Sequence, residues 1–320
     1  MKFSIIVPVF NRPDEIKELF ESLSRQTYTN FEVIVIEDGS SEKCEELLAS
    51  FDWPFNYHYL YQENQGQGFA RNNGMKIAKG DFFIIFDSDV IVPENYLEKV
   101  LEGIKKNQLD AFGGPDAAAD DFSPWQKAMD FAMTSFWTTG GIRGALKDKS
   151  KYQARGFNMG ISPKVFERTG GFMDPNKGED IEWSIRIKKL GFKLELIPEA
   201  FVFHKRKSNF LSFIKQGFSF GQNRINVSRY HSGEVKLIHF LPFFFLLFVL
   251  GIFPAFVLSP IIFKFQIILL SIWSILIFIN SGIRYRSFKI AFLSWLCSFS
   301  QLLSYGFGLF VEGLTKLIKG

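Results

Sequence analysis

Two long stretches without a charged side chain constrain this sequence more than any other feature. Residues Leu237–Leu258 include no Lys, Arg, Asp or Glu, although they contain His239, Pro242 and Pro254, and residues 265–283 are equally free of charge. A helix rises about 1.5 Å per residue, so each stretch is long enough to cross a hydrocarbon layer of about 30 Å. A single such run would also suit a buried core helix. Two of them, separated only by Ser259, Pro260, three apolar residues and Lys264, favour membrane spans. A third stretch, 290–311, is interrupted by Ser298, Ser300, Gln301 and Ser304, and either spans or lies in the interface. Residues 237–320 therefore read as a membrane domain and residues 1–236 as a soluble one.

The first 236 residues have a different rhythm. Phe3–Val9 is a short β-branched run suited to a buried strand, and Asn11, Pro13 and Asp14 are helix-start residues. Ile16, Leu19, Phe20 and Leu23 then recur at helical spacing. Residues 31–36 and 58–61 read as further strands, with a helix burying Cys44, Leu47 and Leu48 between them. Residues 68–78 read as a helix, Phe82–Phe86 as a fourth strand, a helix opening at Pro93 follows, and 110–113 reads as another strand. Strands alternating with helices imply right-handed crossovers and a mainly parallel α/β sheet, which binds ligands beyond the carboxyl ends of its strands. Glu37-Asp38 and Asp87-Ser88-Asp89 both fall at such ends. Residues 125–136 read as a helix, followed by a loop with Gly140, Gly141, Gly144 and Lys147.

Bulk composition excludes little. The net charge of +4 is too mild to indicate nucleic acid and fits a membrane surface or anionic substrates. Cys44 and Cys297 are far apart and lack metal-ligand spacing. Met1 to Phe10 reads as a strand rather than a leader.

Several short motifs carry chemistry. Two carboxylates flanking a small residue, Asp87-Ser88-Asp89, can hold a hard cation against a diphosphate, although the same tripeptide suits a solvated turn. Glu179-Asp180, after Gly178 and before a helical run, suits a general base; acids at this position also cap or stabilise a helix start. Arg71 follows Gln65-Gly66-Gln67-Gly68 and can clamp a phosphate, or simply face solvent. The glycines do not form a dinucleotide fingerprint, because Arg71 stands where its third glycine should be. His204 ends the strand-like run 200–203 and by itself suits a structural role. The polar segment with Gln216, Gln222, Asn223 and Arg224 fits membrane topology or anionic lipids.

The order of these motifs is more specific than any one of them. Ile5-Ile6-Val7-Pro8-Val9-Phe10-Asn11, Leu23-Ser24, Gln26-Thr27, Val33-Ile34-Val35-Ile36-Glu37-Asp38-Gly39-Ser40, Asn64-Gln65-Gly66, Ala70-Arg71-Asn72, Asp87-Ser88-Asp89 and Gly178-Glu179-Asp180 occur in the sequence of family 2 glycosyltransferases of the GT-A fold. The resemblance covers residues 1 to about 205. It implies an inverting sugar transfer that uses Mn²⁺ or Mg²⁺, a nucleotide-sugar donor with a UDP-sugar expected, and a lipid-linked or glycan acceptor. It further implies that Pro8, Phe10, Glu37, Asp38, Arg71, Asp87 and Ser88 contact the donor, with Phe10 in the place of an aromatic that stacks on the base. Asp89, with Asp87 and His204, is implied to hold the metal, and Asp180 to act as base beside Glu179. Glu37 departs from the usual Asp. Gln216 and Gln222-Asn223-Arg224 lack the Trp of the Gln-x-x-Arg-Trp motif of processive synthases, so a polymerase is the less favoured alternative; a non-catalytic nucleotide-sugar-binding module is another. A soluble donor implies a cytoplasmic catalytic domain on a multi-pass plasma-membrane (inner-membrane) protein.

Overall fold

A computed structural model describes residues 1–117, 122–139, 148–204 and 209–319. The loop positions Gly140, Gly141, Gly144 and Lys147 lie outside the described residues. The chain packs as two compact units, one from residues 1–117 and 148–204, the other from 122–139 and 209–319. Packing thus groups residues 122–139 and 209–236 with the apolar helices, whereas the composition changes only at Leu237.

The first unit is built on a seven-stranded sheet in the order β3-β2-β1-β4-β8-β6-β9. Its strands are β1 (Phe3–Val9), β2 (Phe31–Asp38), β3 (Asn56–Gln62), β4 (Phe82–Phe86), β6 (Ala111–Gly113), β8 (Asn158–Ile161) and β9 (Leu194–Leu196). β1 runs parallel to β2 and β4, β2 to β3, and β6 to β9; β8 is antiparallel to both its neighbours. The mainly parallel arrangement follows from helices covering both faces, which is why β1, β2 and β4 are near-continuous apolar runs. Ile5, Ile6, Val33, Ile34, Ile84 and Ile85 are fully buried, each stabilising the fold by about 1.5–3 kcal/mol. β3 is one of the two edge strands and alternates, its Tyr57 and Tyr59 packing on the core. A small second sheet, β5-β10-β7, joins β5 (Val90–Ile91), β7 (Asp116–Ala117) and β10 (Val202–His204).

Most predicted elements lie within two residues of their expected bounds. The helix expected to open at Pro93 is one exception: Pro93 and Glu94 precede it, and it runs Tyr96–Asn107 behind Asn95. β8 was not picked out, because its polar and flexible members, Asn158 and Gly160, carry no strand signature. Asn158 is nevertheless fully buried. Its side-chain amide donates to the Ala200 carbonyl at 2.9 Å, and its side-chain oxygen accepts from Tyr96 Oη at 2.5 Å, so its polar groups are matched as burial requires.

The second unit is helical. Pro124–Thr134 starts in a capping box between Ser123 and Gln126, and Phe210–Tyr230 is capped by Asn209. Three helical stretches are long and apolar enough to cross a membrane: Leu237–Leu258, Pro260–Tyr285 and Phe288–Lys319. The first two are almost wholly exposed in the protein itself, as lipid-facing helices would be. The third is 56% buried over its most apolar window. Its interrupting polar residues are turned inward: Ser294 accepts from Ser281 Oγ at 2.7 Å, and Ser298, Gln301 and Ser304 are buried. Small residues let the helices approach closely, a common device among membrane helices. A Cβ on Gly308 would lie 2.0 Å from the Phe218 carbonyl oxygen, and one on Gly221 2.1 Å from that of Tyr305.

Candidate active site

The carboxyl ends of β1, β2 and β4 lie side by side, because the three strands are neighbours in parallel. Pro8 is half-buried near the end of β1, and Phe10 just beyond it is 50% exposed, a large aromatic left in solvent. Asn11, in the left-handed region at φ 53°, ties this end to the loop after β2. Its N–H donates to Ser40 Oγ at 2.7 Å, and its side-chain oxygen accepts from the N–H groups of Ser41 and Glu42 at 2.9 and 3.1 Å.

Glu37 and Asp38, at the end of β2, are both buried. Glu37 accepts from Ser40 Oγ, from the Cys44 N–H at 2.8 Å and from Tyr59 Oη at 3.3 Å. Asp38 accepts from Gln62 Nε2 at 2.7 Å and from the N–H groups of Gln65 and Gly66 at 2.9 Å each. The pair thus fastens the β2 loop to β3 and to the turn that opens helix Gln67–Ile77.

The acids after β4 have different partners. Asp87, Asp89 and His204 bring one potential ligand atom each within 4.8 Å of one another. Strand pairing is the cause: β5 begins immediately after Asp89, and β10 pairs with it antiparallel so that His204 sits opposite Val90. The His204 ring stacks on Phe157 at 4.8 Å. Its Nε2 lies 3.1 Å from Asp89 Oδ1, and Arg12 Nη1 donates to Asp89 Oδ2 at 2.6 Å. Burial favours a neutral Asp89, but His204 and Arg12 outweigh it and hold the carboxyl well below its usual range. Oδ1 is buried. Asp89 Oδ1 and His204 Nε2, already a close pair, could together with Asp87 also face a shared cation. The O,O,N donor set suits Mn²⁺, and its two carboxylates also suit Mg²⁺. Ser88 between the two acids is buried.

Arg71 joins the β4 end to the Glu179-Asp180 turn. It is 1% exposed on helix Gln67–Ile77, and it donates to Asp87 Oδ1 at 2.6 Å and to Glu179 Oε1 at 3.4 Å. Gly156 makes room for it, since a Cβ there would stand 2.5 Å from Arg71 Nη1. The two carboxylates outweigh burial and keep the guanidinium charged. Glu179 also accepts from Gln67 Nε2 at 2.7 Å. Burial and the adjacent Asp180 push the Glu179 carboxyl up to about 7, against the pull of Arg71.

Asp180 is half-buried; it accepts from the Gly156 N–H at 3.3 Å and from the Ile181 N–H at 2.7 Å, and pairs with no cation at hydrogen-bond range among the described residues. The helix Glu179–Lys189 is capped by Gly178, which takes the left-handed conformation at φ 77°. Asp180 is therefore a first-turn residue and not the cap. Two members of this constellation were not expected from the sequence. Arg12 was not singled out, and Gln67 looked like part of a glycine-rich turn; the position of Arg12 just past the end of β1 was the only available signal.

Known proteins share this architecture. A mannosyltransferase from Pyrobaculum calidifontis, solved in complex with GDP-Man and Mn²⁺, superposes with a TM-score of 0.62 at 16% identity, covering 97% of this chain and 87% of its own. Staphylococcus aureus TarS 1–349 in complex with UDP-GlcNAc superposes at 0.51, also at 16% identity, covering 99% and 92%. At these identities they show the fold, a GT-A-like α/β domain followed by apolar helices. In sequence, an alignment of 331 positions is 28% identical to a Methanococcus voltae dolichyl N-acetyl-alpha-D-glucosaminyl phosphate 3-beta-D-2,3-diacetamido-2,3-dideoxy-beta-D-glucuronosyltransferase, spanning 98% of this chain and 97% of the relative. Glycosyltransferase GlyG of Streptococcus pneumoniae is 35% identical over 136 residues, which is 41% of this chain and under half, 45%, of its own length. The sequence profile of glycosyl transferase family 2 matches residues 4–170, just over half of the 320, and the chain belongs to that family.

Proposed function

We propose that this chain is a membrane-anchored, metal-dependent, inverting glycosyltransferase that moves a sugar from a nucleoside-diphosphate sugar to a hydroxyl of a lipid-linked or glycan acceptor. The observation that carries the reading is the convergence of Asp87, Asp89 and His204 with Arg71, Glu179 and Asp180 through the shared Arg71 contacts. In the reaction, the Asp180 carboxylate accepts the acceptor hydroxyl proton. The oxygen so released attacks the anomeric carbon from the face opposite the leaving group, and the bond from that carbon to the diphosphate oxygen breaks. Asp87, Asp89 and His204 would hold Mn²⁺ or Mg²⁺, which supplies charge neutralisation to the diphosphate. Phe10 offers a face for the base, Pro8 and Asp38 line its side, and Ser88 lies between the metal-holding acids. Arg71 and Glu37 hold the loops in place, Arg71 by orienting Asp87 and Glu179.

Two of these likenesses bear on substrates. Relatives of this fold bind GDP-Man and UDP-GlcNAc, and a UDP-sugar is our assignment for the donor. The full-length relative from Methanococcus voltae has a name that specifies a dolichyl-phosphate-linked acceptor, which supports a lipid-linked acceptor and a role in envelope glycan assembly. Residues 1–236 are then the cytoplasmic catalytic domain and 237–320 the membrane domain of an inner-membrane protein. Incubating the purified full chain with Mn²⁺ and a panel of nucleotide sugars, and following nucleoside diphosphate release, tests the reading. Slow, chelator-sensitive release from one donor or a few is expected. Release from none of them, by protein that melts cooperatively, would overturn it.

A further inference from the structure

The two edges of the seven-stranded sheet are made differently. One is β9, three residues long, with Glu195 at its centre and Lys193 Nζ 3.7 Å from that carboxylate. A short edge strand that carries charge offers little to another strand, and both features are common protection against edge-to-edge pairing. The outer strands of the small sheet, β5 and β7, have only two residues each.

β3 forms the other edge and has none of this protection. Its seven residues, Asn56-Tyr57-His58-Tyr59-Leu60-Tyr61-Gln62, include no Asp, Glu, Lys, Arg, Pro or Gly. They pair one-to-one with Glu32–Asp38 of β2, so no bulge interrupts the strand. Among the described residues β2 is its only strand partner. Alternate residues of such an edge turn their N–H and C=O groups outward in a row, a template for one more strand. Asn56, His58, Leu60 and Tyr61 are exposed, Leu60 at 40% and Tyr61 at 49%.

We propose that β3 docks against β3 of a second copy of this chain, the two strands antiparallel about a two-fold axis at Tyr59. Where a sheet continues across such an axis, opposed residues share a face. Tyr57 and Tyr59 pack on the core, and His58 and Leu60 lie on the other face, because side chains alternate along a strand. An axis at Tyr59 respects this: Tyr57 lies opposite the partner's Tyr61, and His58 opposite the partner's Leu60. It also pairs all seven residues. An axis at His58 would bring Pro54 opposite Gln62, and Pro has no N–H to give the ladder. An axis at Leu60 would draw the charged Glu63 into the ladder opposite Tyr57. Because the strand carries no acidic or basic chain apart from one imidazole, self-pairing opposes no carboxylates and no ammonium or guanidinium groups. The outward backbone groups supply the attraction, as in other strand additions, and the interface is the same patch on both copies. The inference concerns the α/β unit alone and does not rest on the sugar-transfer reading.

Sedimentation velocity of the full chain in uncharged, density-matched detergent tests the proposal. The parent chain should show a concentration-dependent equilibrium between monomer and dimer. The double substitution His58→Lys with Leu60→Lys sets lysines opposite one another twice across the axis. It should weaken the dimer by about tenfold, since like charges directly opposed are unfavourable. His58→Lys with Leu60→Glu instead gives a Lys–Glu pair on each side of the axis and should return the dimer to near parental strength. Both variants change exposed side chains and should melt near the parent temperature. A parent chain that stays monomeric throughout the dilution series would overturn the proposal. So would a Lys/Lys variant that dimerises as well as the parent. Loss of the dimer in both variants, each melting as the parent does, would overturn the antiparallel register about Tyr59.

Discussion

β2 and β4 both end in acidic residues, one strand apart in the same sheet, yet the two sets of carboxylates are held in different ways. Glu37 and Asp38 accept mainly from backbone N–H groups and neutral side chains. Those donors are fixed by the chain's own path, so the pair builds the loop against which the base is proposed to lie. Asp87 and Asp89 face side-chain cations and an imidazole. Those partners sit on other elements, and on the proposed reading Arg12 and His204 would give up part of their contact with Asp89 to a metal. On that reading the comparison separates acids that shape a site from acids that act in it, a distinction their positions in the sequence do not make.

The largest effect should come from a third carboxylate. Asp180→Asn should lower turnover by about 10²–10⁴-fold while donor affinity and melting temperature stay near the parent values. Gly178 caps this helix, so a lost cap would not explain such a result. Wild-type turnover in Asp180→Asn would reduce the residue to first-turn electrostatics.

Glu37→Gln should behave in the opposite way. It disturbs a buried network and should cost about 1–3 kcal/mol of stability, read by denaturant unfolding, with turnover of the folded fraction little changed. A stable but inactive Glu37→Gln protein would place Glu37 among the acting acids and break the comparison.

Glu179 sharpens it through pH. Its folded carboxyl titrates near 7, above its unfolded value. The folded state therefore holds the proton more tightly, and the stability this contributes is full below the unfolded value and is lost as pH rises towards about 7. Glu179→Gln should remove this component, so melting temperature against pH between 5 and 7 should slope down less in the variant than in the parent. Parallel curves would show that Glu179 ionises normally.

The smallest effect concerns Arg12. Because it occupies Asp89 Oδ2, Arg12→Gln should tighten Mn²⁺ binding without donor, by less than about tenfold given its partial exposure. Weaker Mn²⁺ binding in that variant would mean Arg12 supports the site instead of competing for it.

The parallel strands were legible because β1, β2 and β4 are buried on both faces and read as unbroken apolar runs. β5, β8 and β10 were harder: each is short, and Asn158 and Gly160 of β8 have no strand signature. The strand-like run 200–203 was read without its partner β5, so the reason His204 meets Asp89, the β5–β10 register, stayed hidden. Residue types alone could mark Asp87, Asp89, Glu179 and Asp180 as candidates. They could not show that Arg71 is buried between two of them, since a lone arginine on a helix more often faces solvent. In the apolar helices the serines and Gln301 looked like interruptions because hydropathy counts residues without regard to the face they occupy. The same blindness to facing leaves topology a prediction. Arg284, Arg286 and Lys289 suggest a cytoplasmic loop, yet Arg284 also pairs with the buried Asp130 at 3.2 Å, so one of these charges has a structural use as well.

The claim that the β4 acids are the exchangeable ones is tested most directly by Mn²⁺ electron paramagnetic resonance on the full chain with UDP. The parent protein should take up one Mn²⁺ per chain, with coupling to phosphorus and to one imidazole nitrogen, and Asp89→Asn should leave the signal of free aqueous Mn²⁺. Mn²⁺ bound equally well by Asp89→Asn, or bound without the nitrogen coupling that His204 would give, would contradict the account.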